Sequence, residues 1–302
     1  NFDGQCCNHI RSLVAQTRPD LIIITGDIVY GSFDDSGRML DRFCTFMDGL
    51  EMAWAPVFGN HDNECRLGVA RQCDRLEQSA FCLFERGSVS GHGNYTVGIA
   101  AGERLIRVLH MMDSHGCHGA EDPAVVKAPG LHPDQLELIR HNTAQIQAAQ
   151  QRKIPAFLAF HIPVDCFLAA EEAKGYGHGL YTIGVDVPAK DGDFGFCLER
   201  YMPFGTDGHF IEFLHAQQID GVFVGHIHKN CTSITYENIR WTFGLKTGQY
   251  DYHQPYQIGG TMITLWGSSF RVNHVPSLVN GAPMPACAPM FKGLFADGSR
   301  TE

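Results

Sequence analysis

Apolar residues along the chain occur in short continuous runs that alternate with stretches of helical spacing. The runs at 21–25, 53–58, 154–160 and 221–224 contain few polar residues, which is typical of strands covered on both faces. Apolar positions three and four residues apart predict helices over 6–17, 38–50 and 211–217, and Pro133 begins another that runs to about 151. This alternation predicts an α/β fold built around a βαβ unit.

The rest of the chain adds weaker signals. Residues 64–84 are mostly helical in pattern, and 94–100 and 104–112 predict an antiparallel pair around a short turn. Short strands are predicted at 233–236, 239–243 and 261–266. The aperiodic stretch 171–207 is more typical of an active-site lid or insertion than of a linker. We therefore expect one domain over residues 1–275 and an irregular tail, rich in Pro, Gly and Ala, over 276–302.

Each of the four apolar runs ends in a polar motif. Gly26-Asp27 follows the first run, Gly59-Asn60-His61-Asp62 the second, His161 the third and Gly225-His226-Ile227-His228 the fourth. These motifs are too far apart in sequence for one helix to bring them together. Open α/β sheets place their active sites at the carboxyl ends of the strands, so we expect the four motifs to meet there.

The polar side chains of these motifs form a set of metal ligands. The set combines carboxylate, amide and imidazole groups and contains no thiolate; its members are Asp27, Asn60, His161, His226 and His228. Oxygen and nitrogen ligands suit Mn, Fe or Zn and do not match a cysteine-based structural zinc site. Because a turn after a strand can direct both His226 and His228 inward, the pair could serve two adjacent ions.

Composition limits the class of partner. The 302 residues, 44% of them hydrophobic, are enough for a large α/β domain with its own core. The formal charge of −10 argues against long nucleic acids, which require clustered Lys and Arg, but permits a small phosphorylated substrate or a phosphoprotein. No apolar run approaches the roughly 18 residues that span a bilayer. Eleven cysteines without a CxxC motif leave a cytoplasmic and a secreted location open, and nothing indicates the oligomeric state.

Taken together and in this order, the four motifs resemble those of the calcineurin-like metallophosphoesterase superfamily. The similarity is closer to its purple-acid-phosphatase-like branch, which includes plant "probable inactive" and fungal cell-cycle phosphatases, and Asp113-Ser114 and Phe160-His161-Ile162-Pro163 also resemble that branch. The resemblance covers roughly residues 10 to 245. It implies a four-layer α/β/β/α sandwich with a centre of two metal ions.

The resemblance also implies how the ligands are divided. Asp27 would bridge the two ions, and Asn60, His161 and His226 would complete one of the two sites. His228 would bind the other ion. A hydroxide bridging the two ions would attack phosphorus in line, which implies a phosphatase that hydrolyses a phosphomonoester.

Two residues of the second motif are implied to be catalytic. His61 would contact the phosphate and assist the leaving group. Asp62 would orient His61 without touching the substrate.

The chain departs from the family pattern before Gly26. The family's first motif, Asp-x-His at the end of a strand, is not found there, since the upstream residues predict a helix. Either that strand precedes the printed sequence or the chain lacks it, and the first ion is then short of about two ligands. Tyr30 is a possible replacement, because Gly26-Asp27-Ile28-Val29-Tyr30 resembles the purple acid phosphatase pattern in which tyrosine binds ferric iron. An ordinary packing tyrosine is the favoured interpretation.

Two other functions stay open. A non-catalytic relative could use the same fold for protein interactions, although the presence of His61 favours an enzyme. A nucleotide phosphodiesterase is the weaker alternative, because the acidic balance disfavours long nucleic-acid substrates.

Further polar residues lie outside these motifs. His115, Cys117 and His118 are interpreted as a polar loop near the site and not as a second metal site. Tyr176, His178 and His209 are interpreted as residues of solvated loops, with contact to substrate as the alternative.

Overall fold

The protein is described by a computed structural model for residues 2–33, 36–116, 129–177, 179–249, 251–254, 257–279 and 282–283. The helices of this part are α1 (Phe2–Thr17), α2 (Arg38–Asp48), α3 (Gly68–Glu77), α4 (Pro133–Gln150), α5 (Cys166–Ala173) and α6 (Phe210–Ala216). The strands are β1 (Ile22–Ile24), β2 (Trp54–Pro56), β3 (Tyr95–Ala101), β4 (Arg104–Met111), β5 (Ala156–Ala159), β6 (Tyr181–Thr182), β7 (Phe196–Cys197), β8 (Ile219–Val224), β9 (Ser233–Tyr236), β10 (Ile239–Phe243), β11 (Gly259–Trp266), β12 (Ser269–Pro276), β13 (Leu278–Val279) and β14 (Ala282–Pro283).

The chain divides into two compact units. One, here called the sheet unit, consists of Asp20–Cys166 and Pro203–His226. The other, here called the terminal unit, consists of Asn1–Pro19, Phe167–Met202 and Ile227–Glu302. The predicted domain boundary at residue 275 stays a prediction.

The sheet unit contains the predicted βαβ unit. β1 and β2 are parallel, with Ile22 opposite Trp54. A second set of strands lies in the order β3-β4-β5-β8, in which β4, β5 and β8 are parallel and β3 is antiparallel to β4. Phe157 and Leu158 of β5 and Val222 of β8 are fully buried, as expected for parallel strands. The loops that follow β4, β5 and β8 therefore emerge at one edge.

The terminal unit combines α1 with antiparallel strand pairs. β9 pairs with β10, and β11 pairs with β12. Its core includes an aromatic cluster in which the Phe167 ring lies 5.3 Å from Trp241 and 4.7 Å from Phe243. β12 was not predicted, because the sequence pattern of 269–276 mixes charged and apolar residues on an edge with little burial. Two short strands, β13 and β14, lie in the predicted irregular tail, and residues 284–302 lie outside the described residues.

The aperiodic stretch 171–207 contains more structure than its pattern indicated. α5 extends into it, and β6 and β7 form an antiparallel pair. The buried Asp193 carboxylate accepts hydrogen bonds from the Tyr176 hydroxyl at 2.9 Å and the Thr235 backbone N–H at 2.8 Å, and Arg240 lies 3.4 Å away. These contacts join residues distant in sequence, so the local pattern could not reveal them.

The described residues show the state of the cysteines and whether a helix could span a membrane. Among the described residues, the free thiols include Cys44, Cys73, Cys82, Cys166, Cys197 and Cys231, so Cys73 does not form a disulfide with Cys65. In the same part of the chain, no helix combines the length and the apolar character needed to cross a membrane.

Two buried histidines are expected to make the protein sensitive to acid. Burial lowers the pKa of His110, in the sheet unit, and of His274, in the terminal unit, to about 4. Unfolding restores the ordinary value of about 6.5, so the unfolded chain binds more protons between these values and stability falls as the pH falls from about 6.5 to 4. Each histidine should contribute up to about 3 kcal/mol to this loss.

Urea denaturation between pH 7 and 4.5 tests this expectation. The His110→Asn variant, which cannot titrate, should show a smaller decrease in the free energy of unfolding than the wild type. An equal pH dependence in both proteins would contradict the assignment.

Candidate metal centre

Four predicted ligand side chains meet at the Nε2 atom of His161. This atom lies 3.1 Å from Asp27 Oδ2, 3.2 Å from Asn60 Oδ1 and 3.3 Å from His226 Nδ1. Asp27 follows β1, Asn60 follows β2, His161 follows β5 and His226 follows β8. The convergence expected from the strand ends is therefore present in the sheet unit.

These distances fit a shared metal ion. Ligand atoms bound at about 2.0–2.2 Å to one ion lie about 3 to 3.5 Å from each other. One ligand atom from each of Asp27, His161 and His226 lies within 4.8 Å of the other two. With the amide oxygen of Asn60, the donor set is two oxygens and two imidazole nitrogens, which suits Mn, Fe or Zn.

The tautomer of His161 is set by a backbone contact. Its Nδ1 donates a hydrogen bond to the carbonyl oxygen of Thr25 at 2.6 Å. In the neutral imidazole the Nε2 lone pair is then available as a metal ligand, as in many metal sites where the other ring nitrogen donates to a carbonyl.

Asp27 and His161 also interact electrostatically. Burial opposes ionisation of both groups, but a protonated His161 and its hydrogen bond hold the pKa of Asp27 below its usual range, and Asp27 in turn raises the pKa of His161. A cation bound at Nε2 would take the place of that proton. The Asp27 carboxylate is therefore ionised at neutral pH, which is the form that binds a cation.

The backbone at the two strand ends is strained. Asp27 has φ 54° and His226 has φ 68°, values that residues with a side chain rarely adopt. Gly26, at φ 94°, has no space for a larger residue, because a Cβ atom there would lie 2.5 Å from His161 Nδ1. Strain of this kind persists where the surrounding structure holds it, and it is concentrated at functional sites.

Asp62 ties the β1 and β2 loops together. Its fully buried carboxylate accepts hydrogen bonds from the backbone N–H of Gly59 at 2.8 Å and of Val29 at 2.9 Å. Burial, reinforced by the charge of Asp27, raises the pKa of Asp62 to about 7. The described contacts thus give Asp62 a role in holding Gly59 and Val29, and its role in orienting His61 stays a prediction.

Glu64 makes the carboxylate contact with His61 instead. His61 Nδ1 lies 3.0 Å from Glu64 Oε2, and the backbone N–H of His61 donates to Asp27 Oδ1 at 3.0 Å. Residues 62–64 form a 3-10 helix, whose three-residue turn places Glu64 over His61. Glu64 is not among the site residues predicted from the sequence, although its three-residue spacing from His61 was an available signal.

Tyr30 packs against His61. The two rings are stacked, with centroids 4.3 Å apart and planes inclined by 21°. This contact agrees with a packing tyrosine, and the role of Tyr30 as a ligand stays a prediction.

His228 belongs to the terminal unit. Its Nδ1 lies 3.1 Å from the carbonyl oxygen of Tyr252 and 3.5 Å from Asp251 Oδ2, and its ring is stacked on the Tyr252 ring at 4.4 Å. Its role as a ligand of the other ion stays a prediction.

Ser114 supports the loop that carries His161. Its hydroxyl oxygen accepts hydrogen bonds from the backbone N–H of Ile162 at 2.9 Å and of His161 at 3.3 Å. The sequence drew attention to Asp113-Ser114 only through the family resemblance, because a backbone contact across neighbouring strands leaves no local pattern.

The remaining polar candidates fall outside this centre. His115 is buried and its Nδ1 donates to the carbonyl of Gly130, while Tyr176 packs within the terminal unit. His209 is exposed and pairs with Glu212. Cys117, His118 and His178 lie outside the described residues.

Comparison with protein families identifies the group to which these motifs belong. The family model described as calcineurin-like phosphoesterase matches residues 5–230. This chain belongs to the calcineurin-like phosphoesterase family. The match confirms the predicted family and its metallophosphoesterase fold, with mixed α/β content. Families of this kind bind divalent metals, in agreement with the triad Asp27, His161 and His226.

Curated relatives are distant in sequence. "Probable inactive purple acid phosphatase 14" of Arabidopsis thaliana is 22% identical over 88% of this chain and 70% of its own length. "Probable inactive purple acid phosphatase 29" of the same plant is 21% identical over 80% of this chain, which spans only 62% of that relative. "Phosphatase DCR2" of Saccharomyces cerevisiae is 25% identical over 70% of this chain, which spans 36% of that protein.

Proposed function

We propose that this chain is a metal-dependent phosphatase that hydrolyses a phosphomonoester. The observation that carries the proposal is the convergence of Asp27, Asn60 and His226 on His161 Nε2, with His61 held beside them by its backbone hydrogen bond to Asp27. Hydrolysis of a phosphate ester needs stabilisation of the phosphoryl charge and a proton for the leaving oxygen. A metal centre can supply the first and a neighbouring imidazole the second.

Different residues of the chain would bind the metal and act on the substrate. Asp27, Asn60, His161 and His226 would hold one ion. The roles of His228 and Tyr30 as ligands of a second ion stay predictions. When bound, Mn, Fe or Zn would stabilise the charge of the phosphoryl oxygens and lower the pKa of the attacking water.

His61 is placed to assist the leaving group. Its side chain is 19% exposed, so one side of the ring can reach a substrate while Nδ1 lies against Glu64. With one proton on Nδ1, directed at Glu64, and a second on Nε2, the His61 ring is an imidazolium whose charge the Glu64 carboxylate stabilises. Transfer of the Nε2 proton to the leaving oxygen would return the neutral imidazole. We assign to Glu64 an orienting role at His61, in addition to the role that the resemblance implies for Asp62.

Substrate size is limited by charge. The net charge of −10 disfavours a long polyanion and is compatible with a small phosphorylated molecule or a phosphorylated side chain, whose few charges a metal centre can neutralise.

A non-catalytic relative is the second candidate. Two of the relatives named above carry "Probable inactive" in their names, which favours a protein that retains the fold without turnover. The presence of His61 and Glu64 at the centre favours the enzyme.

Metal content and turnover on one sample distinguish the two candidates. We expect elemental analysis to find bound metal, p-nitrophenyl phosphate to be hydrolysed, and chelation to abolish turnover until Mn, Fe or Zn is restored. Bound metal without turnover would support the non-catalytic relative. A protein that binds no metal would contradict both the centre and the phosphatase. Loading with iron and recording the visible spectrum would show in the same experiment whether Tyr30 is a ligand.

A further inference from the structure

Three rings form a continuous stack that leads from His61 to the surface of the sheet unit. The Tyr30 ring lies 4.3 Å from His61, and the Phe33 ring lies 5.0 Å from Tyr30 at an angle of 32°. Phe33 is 72% exposed. We call His61, Tyr30 and Phe33 the ring stack.

The outer part of the ring stack is held in place by the backbone. Residues Gly31–Phe33 form a 3-10 turn, in which the N–H of Gly31 donates to the carbonyl of His61 at 2.9 Å. A Cβ atom on Gly31 would lie 2.5 Å from that carbonyl oxygen, so only glycine permits the close approach. The turn that carries Phe33 is therefore fastened directly to His61.

A single exposed phenylalanine is common on protein surfaces, but Phe33 lies next to the residues that surround His61. Phe33 presents most of its ring to solvent beside Tyr30, which in turn covers one face of His61. An aromatic group placed next to His61 would find ring faces and edges of the kind with which aromatic rings pack favourably.

We propose that the ring stack binds the alcohol portion of the substrate and favours phosphomonoesters whose ester oxygen lies within one or two bonds of an aromatic ring. The inference rests on the proposed function, in which His61 assists the leaving oxygen. The group attached to that oxygen must lie on the His61 side of the centre, where Tyr30 and Phe33 provide the neighbouring surface.

Phe33 is expected to act through binding and not through the chemical step. Packing of an aromatic pair corresponds to about a two- to tenfold change in affinity. The contact between Phe33 and the substrate's ring involves none of the bonds that form or break. It is therefore retained in the ground state and in the transition state, so its loss raises KM and leaves kcat nearly unchanged.

Binding of phosphonates tests the proposal without turnover. Isothermal titration calorimetry on the metal-loaded chain would compare benzylphosphonate with methylphosphonate, which share the phosphonate group and differ in the ring. The variants are Phe33→Ala and Phe33→Tyr. The control is Leu180→Ala, at a residue that is 62% exposed and lies in the terminal unit.

The expected result is an affinity of Phe33→Ala for benzylphosphonate that is weaker by about two- to tenfold, with methylphosphonate unchanged. Phe33→Tyr should retain the wild-type affinity, and Leu180→Ala should behave as wild type. Equal weakening of both ligands, or no weakening of either, would overturn the proposal.

Kinetics separate failure of this proposal from failure of the phosphatase. Benzyl phosphate and methyl phosphate both expel an alkoxide, so the ratio of their kcat/KM values reports on the ring. A lower ratio in Phe33→Ala through KM alone supports the ring stack. An unchanged ratio in an active enzyme overturns it and leaves the phosphatase intact. Selective binding of benzylphosphonate by a chain without turnover would instead contradict the phosphatase and support the ring stack.

Discussion

Replacement of His161 by alanine is expected to remove the metal and to lower kcat/KM by about a thousandfold or more. His161 Nε2 is the atom at which the contacts of Asp27, Asn60 and His226 meet, at 3.1 to 3.3 Å. Its loss leaves the remaining ligand atoms without the imidazole that links them. Elemental analysis of the purified variant and steady-state kinetics with p-nitrophenyl phosphate measure the two effects.

The change must be separated from a general loss of structure. His161 is buried, so its removal also takes the imidazole away from Asp27 Oδ2 and leaves that carboxylate with the backbone hydrogen bond from His61. The His161→Asn variant keeps a polar group in the space and should show the same loss of metal with less effect on unfolding. His209→Ala is the matched control, because its side chain is 80% exposed and should affect neither property. Full metal content in both His161 variants would contradict the centre.

Replacement of His61 by alanine is expected to lower kcat by about 10²- to 10⁴-fold, the usual contribution of a positioned acid or base, while metal content stays at the wild-type level. The backbone N–H of His61 donates to Asp27, and alanine retains this hydrogen bond. The combination of retained metal and lost turnover would distinguish His61 from the ligands.

The size of the loss should depend on the leaving group. An alkoxide needs a proton to leave, whereas p-nitrophenolate does not, so His61→Ala should impair methyl phosphate hydrolysis much more than p-nitrophenyl phosphate hydrolysis. Glu64→Gln, which removes the carboxylate at 3.0 Å from His61 Nδ1, should show a smaller loss in the same direction. An equal loss for both substrates in His61→Ala would argue against proton donation and for a role in binding phosphate.

The pattern of apolar residues along the chain was sufficient to predict the main strands of the sheet unit. The predicted strands at 21–25, 53–58, 154–160 and 221–224 correspond to β1, β2, β5 and β8. Continuous burial on both faces produces the continuous apolar runs by which such strands are recognised. Local pattern also indicated the antiparallel pair of β3 and β4, because a short turn separates two strand-like runs.

In the terminal unit the local pattern predicted α1, β9, β10 and β11 but not every element. α5 and β12 were not predicted, because each has a short or mixed apolar pattern and depends on packing partners that lie far away in the chain. The contacts of Asp193 with Thr235 and Arg240, 42 and 47 residues further along, show how such a segment is stabilised.

The sequence by itself determined the family and the set of residues available for chemistry. Polar residues that directly follow buried strands contribute little to packing, which indicates a role in binding or catalysis. The carboxyl ends of parallel strands lie at one edge of a sheet, so these residues come together there. The convergence of Asp27, Asn60, His161 and His226 was predictable for this reason.

Only the tertiary structure decided which side chains support that set. It placed Glu64 at His61, Asp62 on the backbone of Gly59 and Val29, and Ser114 beneath the His161 loop. It also placed the Tyr30 ring against His61 and the Phe33 ring against Tyr30. The orientation of a side chain depends on backbone angles and on partners from other loops, and hydrophobic periodicity carries no information about either.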